Sequence, residues 1–395
     1  MTAPRPTLLL LLALAGPAAA QKSPDIPVGQ VVALAEAQYA AFLRQYPDST
    51  QQPRTTKPDG SLQLTNSRNW TSGFFAGNLW QLARFMGKDS WRRRAAARTE
   101  TLEAEKFTTD NHDLGFILNN SFGQGYAQTQ TPKYREVLLQ GATTLSRRFS
   151  PTVGAIRSWD FAPFTYPVIV DNLMNLDFLF SASKLSGDTT FAHIAKTHAN
   201  TDLKNRFRKD YSTFHVLDFD PSTGQMRKAM THQGYSDQSC WARGQAWAIY
   251  GYAMLYRNTR DQRYLAAAQH AADYFLKQTN RIPDHIPYWD FNAPDIPNAT
   301  RDASAAAIAA SGLLELSKYA KSPKKYYQGA TGLLSSLCTP QYLATAGTNN
   351  FFLLKHATGY KPANSEVDVP LVYADYYLLE ALWRYQNYNQ FLALL

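Results

Sequence analysis

The chain has 395 residues, 45% of them hydrophobic and 18% charged, enough to bury a large core in one big domain or two to three ordinary ones. A net charge of +9, or +8 once Arg5 leaves with an N-terminal leader, suggests an anionic partner: nucleic acid, membrane surface or acidic polysaccharide. Nucleic acid is discounted because no binding motif is present and the basic clusters, Arg92 to Arg94 and 204–209, read as solvated helix faces.

Residues 1–20 read as a cleaved secretory signal. Arg5 precedes an apolar run from Leu8 to Leu14, and Ala18, Ala19 and Ala20 supply small residues before Gln21. No cysteine follows to carry a lipid anchor, since the first is Cys240, and no other long apolar run occurs. The mature chain, 21–395, is expected to be soluble, exported to a periplasm and free of membrane contact. Cys240 and Cys338 are expected to stay unpaired, and no Cys/His spacing suggests a zinc site.

Helical periodicity begins at 28–46, where Val32, Ala35, Tyr39, Phe42 and Leu43 share a face. A polar loop with Pro53, Pro58, Asp59 and Gly60 follows. Further helices are predicted over 71–86, 90–105, 112–128, 132–149, 166–185, 188–208, 241–256, 261–278, 301–319, 323–337 and 369–385. Only 214–219 and 351–354 suggest short extended pieces.

These dozen helices fall into two alternating kinds. One kind opens on a polar or aromatic cluster and turns rich in Ala, Leu and Gly, as after Trp70, His112, Asp171, Trp241, Arg301 and Asp368. The other is more charged, and several open on a cap followed by an aromatic, as at Pro132-Lys-Tyr134, Asp188-Thr-Thr-Phe191, Asp261-Gln-Arg-Tyr264 and Pro323-Lys-Lys-Tyr326. Six repeated hairpins of an apolar and an amphipathic helix predict an all-α fold, an (α/α)6 barrel in a single domain, with a helical solenoid as the competing fold. In the barrel, all six inner helices start at one rim and bring their polar clusters together there.

Asp171 follows Val168, Ile169 and Val170 at the head of a helix, where lost hydration would raise its pKa toward that of a general acid. The bland alternative is a helix cap, which applies equally to Asp113 beside His112. His215 lies in a loop ahead of Pro221, suited to bonding sugar hydroxyls. Arg243 and Trp247, four apart on one helix face, offer a carboxylate clamp and a stacking surface; Trp70, Trp80, Trp159 and Trp289 offer others. Two carboxylates with Arg, His and Trp describe a site for an acidic sugar, or a non-catalytic sugar-binding protein.

At these residues the chain resembles the unsaturated glucuronyl hydrolases of glycoside hydrolase family 88. The resemblance rests on 69–75, 111–116, 170–175, 215–221 and above all the stretch from Thr231 to Trp247. It implies an (α/α)6 barrel acting without metal or organic cofactor on an unsaturated acidic oligosaccharide. Asp171 is then the general acid and base, and Asp113 the second essential carboxylate. Trp70, His112, His215, Gln233, Arg243 and Trp247 match substrate-contacting positions. Hydration of the C4–C5 double bond, rather than displacement at the anomeric carbon, is the implied reaction. Lys361 and Ser365 are candidate donors to a substrate sulfate, with a solvated surface loop as the alternative. Unsaturated rhamnogalacturonyl- or ulvan-type uronyl hydrolysis remains the rival reaction, and the oligomeric state is not legible.

Overall fold

The helices over 242–259 and 303–316 are buried on nearly every side, which is possible only if other helices surround them. The computed structural model describes residues 26–388, so the leader, 1–20, lies outside the described residues. Within them are twelve α-helices: α1 (Val28–Gln45), α2 (Ser72–Met86), α3 (Asp89–Glu100), α4 (Gln124–Thr129), α5 (Pro132–Ser146) and α6 (Asn172–Ser186). The second half holds α7 (Thr189–Asn205), α8 (Ala242–Thr259), α9 (Gln262–Thr279), α10 (Ala303–Leu316), α11 (Pro323–Leu337) and α12 (Val372–Gln386).

Even-numbered helices form the inner ring. α2 packs on a π-helical stretch, Gly115–Gly123, that leads into α4; this stretch packs on α6, α6 on α8, α8 on α10, and α10 on α12. α12 returns to α2 and closes the ring. Each odd-numbered helix packs outside an inner neighbour. All fourteen residues of α10 are buried, whereas α9 buries one face through Tyr264, Ala268, Ala271, Ala272 and Phe275. The predicted alternation is thus the two layers of an (α/α)6 barrel.

Local sequence sets the hairpin ends. Asp188 and Asp261 accept bonds from the Thr190 and Arg263 amides, capping α7 and α9 as their spacing predicts. At Gly73 a β-carbon would collide with the Ile117 carbonyl, so glycine is what allows α2 and the π-helical stretch to meet.

The loops at the N-terminal rim of the inner helices depart from the prediction. The expected helix over 166–185 begins only at Asn172. Pro167–Ile169 is instead a strand, β3, paired with β4 (Val216–Phe219), which pairs in turn with β5 (Met226–Met230). Its β-branched residues suit a buried strand better than a first helical turn. Ahead of it lies a hairpin that periodicity missed, β1 (Gln52–Thr56) with β2 (Leu62–Thr65). The expected extended piece over 351–354 is short: a left-handed turn at Asn349, Asn350 and Phe351 leads into extended Phe352, Leu354 bridges to Leu343, and Asp375 accepts from the Leu353 and Leu354 amides. Another unpredicted hairpin, β6 (Ala357–Tyr360) with β7 (Ser365–Val369), precedes α12. Both cysteines are free, and no described helix is long and apolar enough to cross a membrane.

Candidate active site

The rim clusters converge on a cavity of about 810 Å³, counting its open mouth. Its floor carries Asp113, His112 and Phe116 from the entrance to the π-helical stretch, and Ile169 and Asp171 from the β3–α6 junction. One wall is aromatic: Trp159 stacks on Phe161, and His232 lies 5.1 Å from Trp159 and 4.8 Å from Tyr360. The lining also holds Trp70, Tyr373 and the ion pair of Arg54 with Glu366, 2.6 Å long.

Asp171 stands at the N-cap position of α6, yet its side chain makes no capping bond. Its Oδ2 is buried without a hydrogen-bond partner. A carboxylate serving as a cap would bind the free amides of the first turn, as Asp302 does at α10. The capping alternative for Asp171 therefore fails on geometry. Burial lifts its pKa to about 7, with Arg243 opposing the rise and the Asp113 charge adding to it.

Asp113 is lifted to about 7 as well, again by burial and against the pull of Arg148. Burial holds the neighbouring His112 ring down to about 3, so it is neutral, with Nε2 3.4 Å from the Asp113 carboxylate. Two desolvated carboxyls in one cavity, each poised near neutrality, can exchange protons near neutral pH, as acid–base chemistry requires. A raised pKa alone does not mark such a site. Asp375 is also lifted to about 7 by burial, but it lies outside the cavity and binds two backbone amides.

Of the other predicted residues, Trp70, Gln233 and Ser365 line the cavity. Gln233 spans from the His215 ring, through its amide, to the Gly359 carbonyl, through its side chain. Three assignments change. His215, 3% exposed, sits behind Asp171 instead of lining the cavity, with Nε2 3.7 Å from Oδ2. Trp247 is fully buried one turn below the rim, packed on Phe116 and Tyr377, because four residues along α8 carry it down the barrel axis. It is core, not a stacking platform. Trp247→Phe is expected to cost about 1–3 kcal/mol of stability and leave KM within about twofold; thermal melting beside steady-state kinetics checks both.

The third change concerns Arg243. It reaches the cavity, but its guanidinium is already engaged by the Asp302 carboxylate at 2.8 Å and by the Thr358 and Gly359 carbonyls. It stacks on Trp241, with 4.5 Å to the ring. Arg243 thus clasps the β6–β7 hairpin against α10, and most of its hydrogen-bonding capacity serves that clasp. Lys361 lies at the tip of this hairpin, off the cavity lining, and its ammonium makes no hydrogen bond or ion pair among the described residues. Arg54, Glu366 and Tyr360 are cavity residues that periodicity could not find, since both hairpins read as loops or helix ends; Tyr373, also in the lining, stands at the head of α12, within a predicted helix. The His232 of the long motif is the available signal for the aromatic wall.

Comparison with known proteins agrees with this fold. The family model for Glycosyl Hydrolase Family 88 matches residues 42–394. An unsaturated glucuronyl hydrolase of Formosa agariphila is 47% identical over 324 residues, 81% of each chain. An unsaturated chondroitin disaccharide hydrolase of Streptococcus pneumoniae is 33% identical over 341 residues, covering 84% of this chain and 85% of that one. Among solved structures, an unsaturated glucuronyl hydrolase specific for heparin superposes with a TM-score of 0.90 at 42% identity, covering 92% of this chain and 98% of its own.

Proposed function

The chain belongs to glycoside hydrolase family 88, and from that premise we propose that it is an unsaturated glucuronyl hydrolase acting on glycosaminoglycan oligosaccharides, with Asp171 as its general acid and base. The observation that carries this reading is the uncapped, desolvated carboxyl of Asp171 facing Asp113 across the cavity floor.

The substrate carries a C4–C5 double bond conjugated with its ring oxygen. Protonated Asp171 gives its proton to C4, the π pair forms the new C–H bond, and positive charge spreads over C5 and the ring oxygen. Water adds at C5 while its proton returns to the Asp171 carboxylate. The resulting hemiketal opens to a ketone at C5, and the hemiacetal left at C1 collapses to an aldehyde, releasing the rest of the chain as an alcohol. One water is consumed and the acid is regenerated. Asp113 in its ionised form supports the developing cation and holds sugar hydroxyls. Because water attacks C5, the separation of the two carboxylates carries no message about anomeric stereochemistry.

The aromatic wall of Trp159, Phe161 and Tyr360 offers stacking to the residue next to the unsaturated sugar, and Ser365 at the cavity edge, with Lys361 beyond it, supports recognition of a sulfate there. Export by the 1–20 leader would place this activity where extracellular lyases leave their products. The test is loss of the ultraviolet absorbance of the unsaturated uronate, using lyase-generated disaccharides of chondroitin, hyaluronan, heparin and pectin. Loss is expected on the glycosaminoglycan products, with kcat/KM falling as pH rises past about 7 because the acid must start protonated. Loss on the pectin product alone would overturn the substrate class.

A further inference from the structure

His215 presents a geometry that a substrate contact does not explain. Its Nδ1 accepts two backbone hydrogen bonds, from the His232 and Gln233 amides, each 3.1 Å long. An imidazole whose Nδ1 is an acceptor must carry its proton on Nε2. That Nε2 is buried, has no hydrogen-bond partner, and stands 3.7 Å from the equally unpartnered Oδ2 of Asp171. Two buried polar atoms of matching polarity face each other just beyond bonding distance. Catalytic hydrogen bonds are often this long before substrate arrives.

We infer that His215 is a positioning residue, whose Nε2–H fixes Oδ2 of Asp171 as the oxygen that takes up charge and leaves the transferable proton on Oδ1, toward the cavity. The inference rests on Asp171 being the acid of the reaction proposed above. When the Oδ1–H bond breaks and the proton forms its bond to C4, the electron pair stays on the carboxylate. Nε2–H then closes on Oδ2 and holds that charge until water returns a proton. The ring itself never changes protonation. Burial keeps it neutral, and so do the neighbouring His232, Arg206, Arg243 and His112. A fixed neutral donor can stabilise the carboxylate without competing for its proton.

The residues that hold the ring belong to the long stretch from Thr231 to Trp247. Gln233 fixes His215 through its amide and reaches the β6–β7 hairpin through its side chain, so the loop that shapes the cavity also sets the tautomer. The other charged groups facing Asp171 are Arg243 from α8, Arg206 at the end of α7, and Asp113 at the entrance to the π-helical stretch. None of them is changed by the substitutions below.

Two substitutions separate the two sides of the ring. In His215→Asn the amide oxygen replaces Nδ1 and keeps the loop bonds, while the donor to Asp171 is lost. In His215→Gln the amide nitrogen replaces Nε2 and keeps the donor, while the loop amides lose their acceptor. His215→Asn is expected to fold, to lose roughly 100-fold in kcat with KM within about threefold, and to move the basic limb of kcat/KM to higher pH. The sign follows from removing a group that favours the ionised acid. His215→Gln is expected to melt lower yet recover part of kcat and return the limb toward wild type. A second measurement does not need turnover: the carboxyl carbon of Asp171, followed by NMR in the free protein, should titrate at higher pH in His215→Asn. An unchanged titration overturns the inference, whatever the activity. So does a raised KM with unchanged kcat, which would make His215 a substrate ligand, and so does a loss of activity that tracks melting temperature in both variants. Absence of wild-type turnover with a shifted titration would instead overturn the reaction proposed for Asp171.

Discussion

Asp171→Asn is expected to abolish turnover and, at the same time, to stabilise the fold. Turnover should fall at least about 1000-fold, toward the upper range for loss of a general acid, because the amide has no proton to give. The gain in stability comes from the same burial that makes the acid useful. The folded-state pKa of about 7 lies above the ordinary value of 3.8. The folded protein therefore binds more protons than the unfolded chain between these values, and stability is lost as pH rises through 7. Above pH 7 the wild type holds a buried carboxylate at a cost of up to about 4 kcal/mol, since each tenfold change in proton affinity corresponds to about 1.4 kcal/mol. Asn removes that cost. Melting curves of the two proteins should nearly coincide at pH 4 and separate by several degrees at pH 8, with the variant the more stable. A variant retaining more than about 1% of turnover would remove Asp171 from the role of acid, and one less stable at pH 8 would overturn the cost assigned to its buried charge.

Arg243→Ala is expected to act first on stability, and only through it on substrate binding. Asp302 is completely buried, and Arg243 is its cationic partner. Removing one member of such a pair strands the other charge, at a cost of about 3–5 kcal/mol. The cap bonds from Ser304 and Ala305 remain, so α10 itself should survive. The Thr358 and Gly359 carbonyls lose their donors, and the β6–β7 hairpin should loosen from the barrel. Hydrogen exchange should rise over 357–369 and the melting temperature should fall sharply. Arg243→Lys keeps the charge but not the fork that reaches both carbonyls, so it should restore only part of the loss. A raised KM with unchanged melting and exchange would return Arg243 to the role of substrate clamp.

These two residues illustrate how far sequence can be read. The alternation of apolar and amphipathic helices contains the barrel, because a helix buried on all sides must spell that burial in nearly every residue, as α10 does. Both carboxylates are legible for a related reason: each stands at the head of an inner helix, so the fold that places the helices also places them. What a side chain does when it arrives is less legible. The spacing of Arg243 and Trp247 places them on one face of α8, but spacing does not tell which of them reaches the rim, nor that Asp302, 59 residues away, is waiting for the guanidinium. His215 reads as a sugar contact because the amides that lock its ring come from a separate loop. Arg54 and Glu366 escape notice because short hairpins with little alternation give no periodic signal.

The contact between α2 and α12 has a consequence during synthesis. α2 is the earliest inner helix to be made, and one of its two ring neighbours is the last. At ordinary elongation rates of about 5–20 residues per second, roughly 15–60 s pass between the two. For that interval the apolar flank of α2, with Phe74 and Asn78 that finally lie against Tyr376 and Val372, has no native cover. Exposed apolar surface of this kind makes a nascent chain prone to association. The same seam completes the site: with the last helix missing, the ring is open, and Tyr373 is gone from the cavity lining to which the first hairpin brings Arg54.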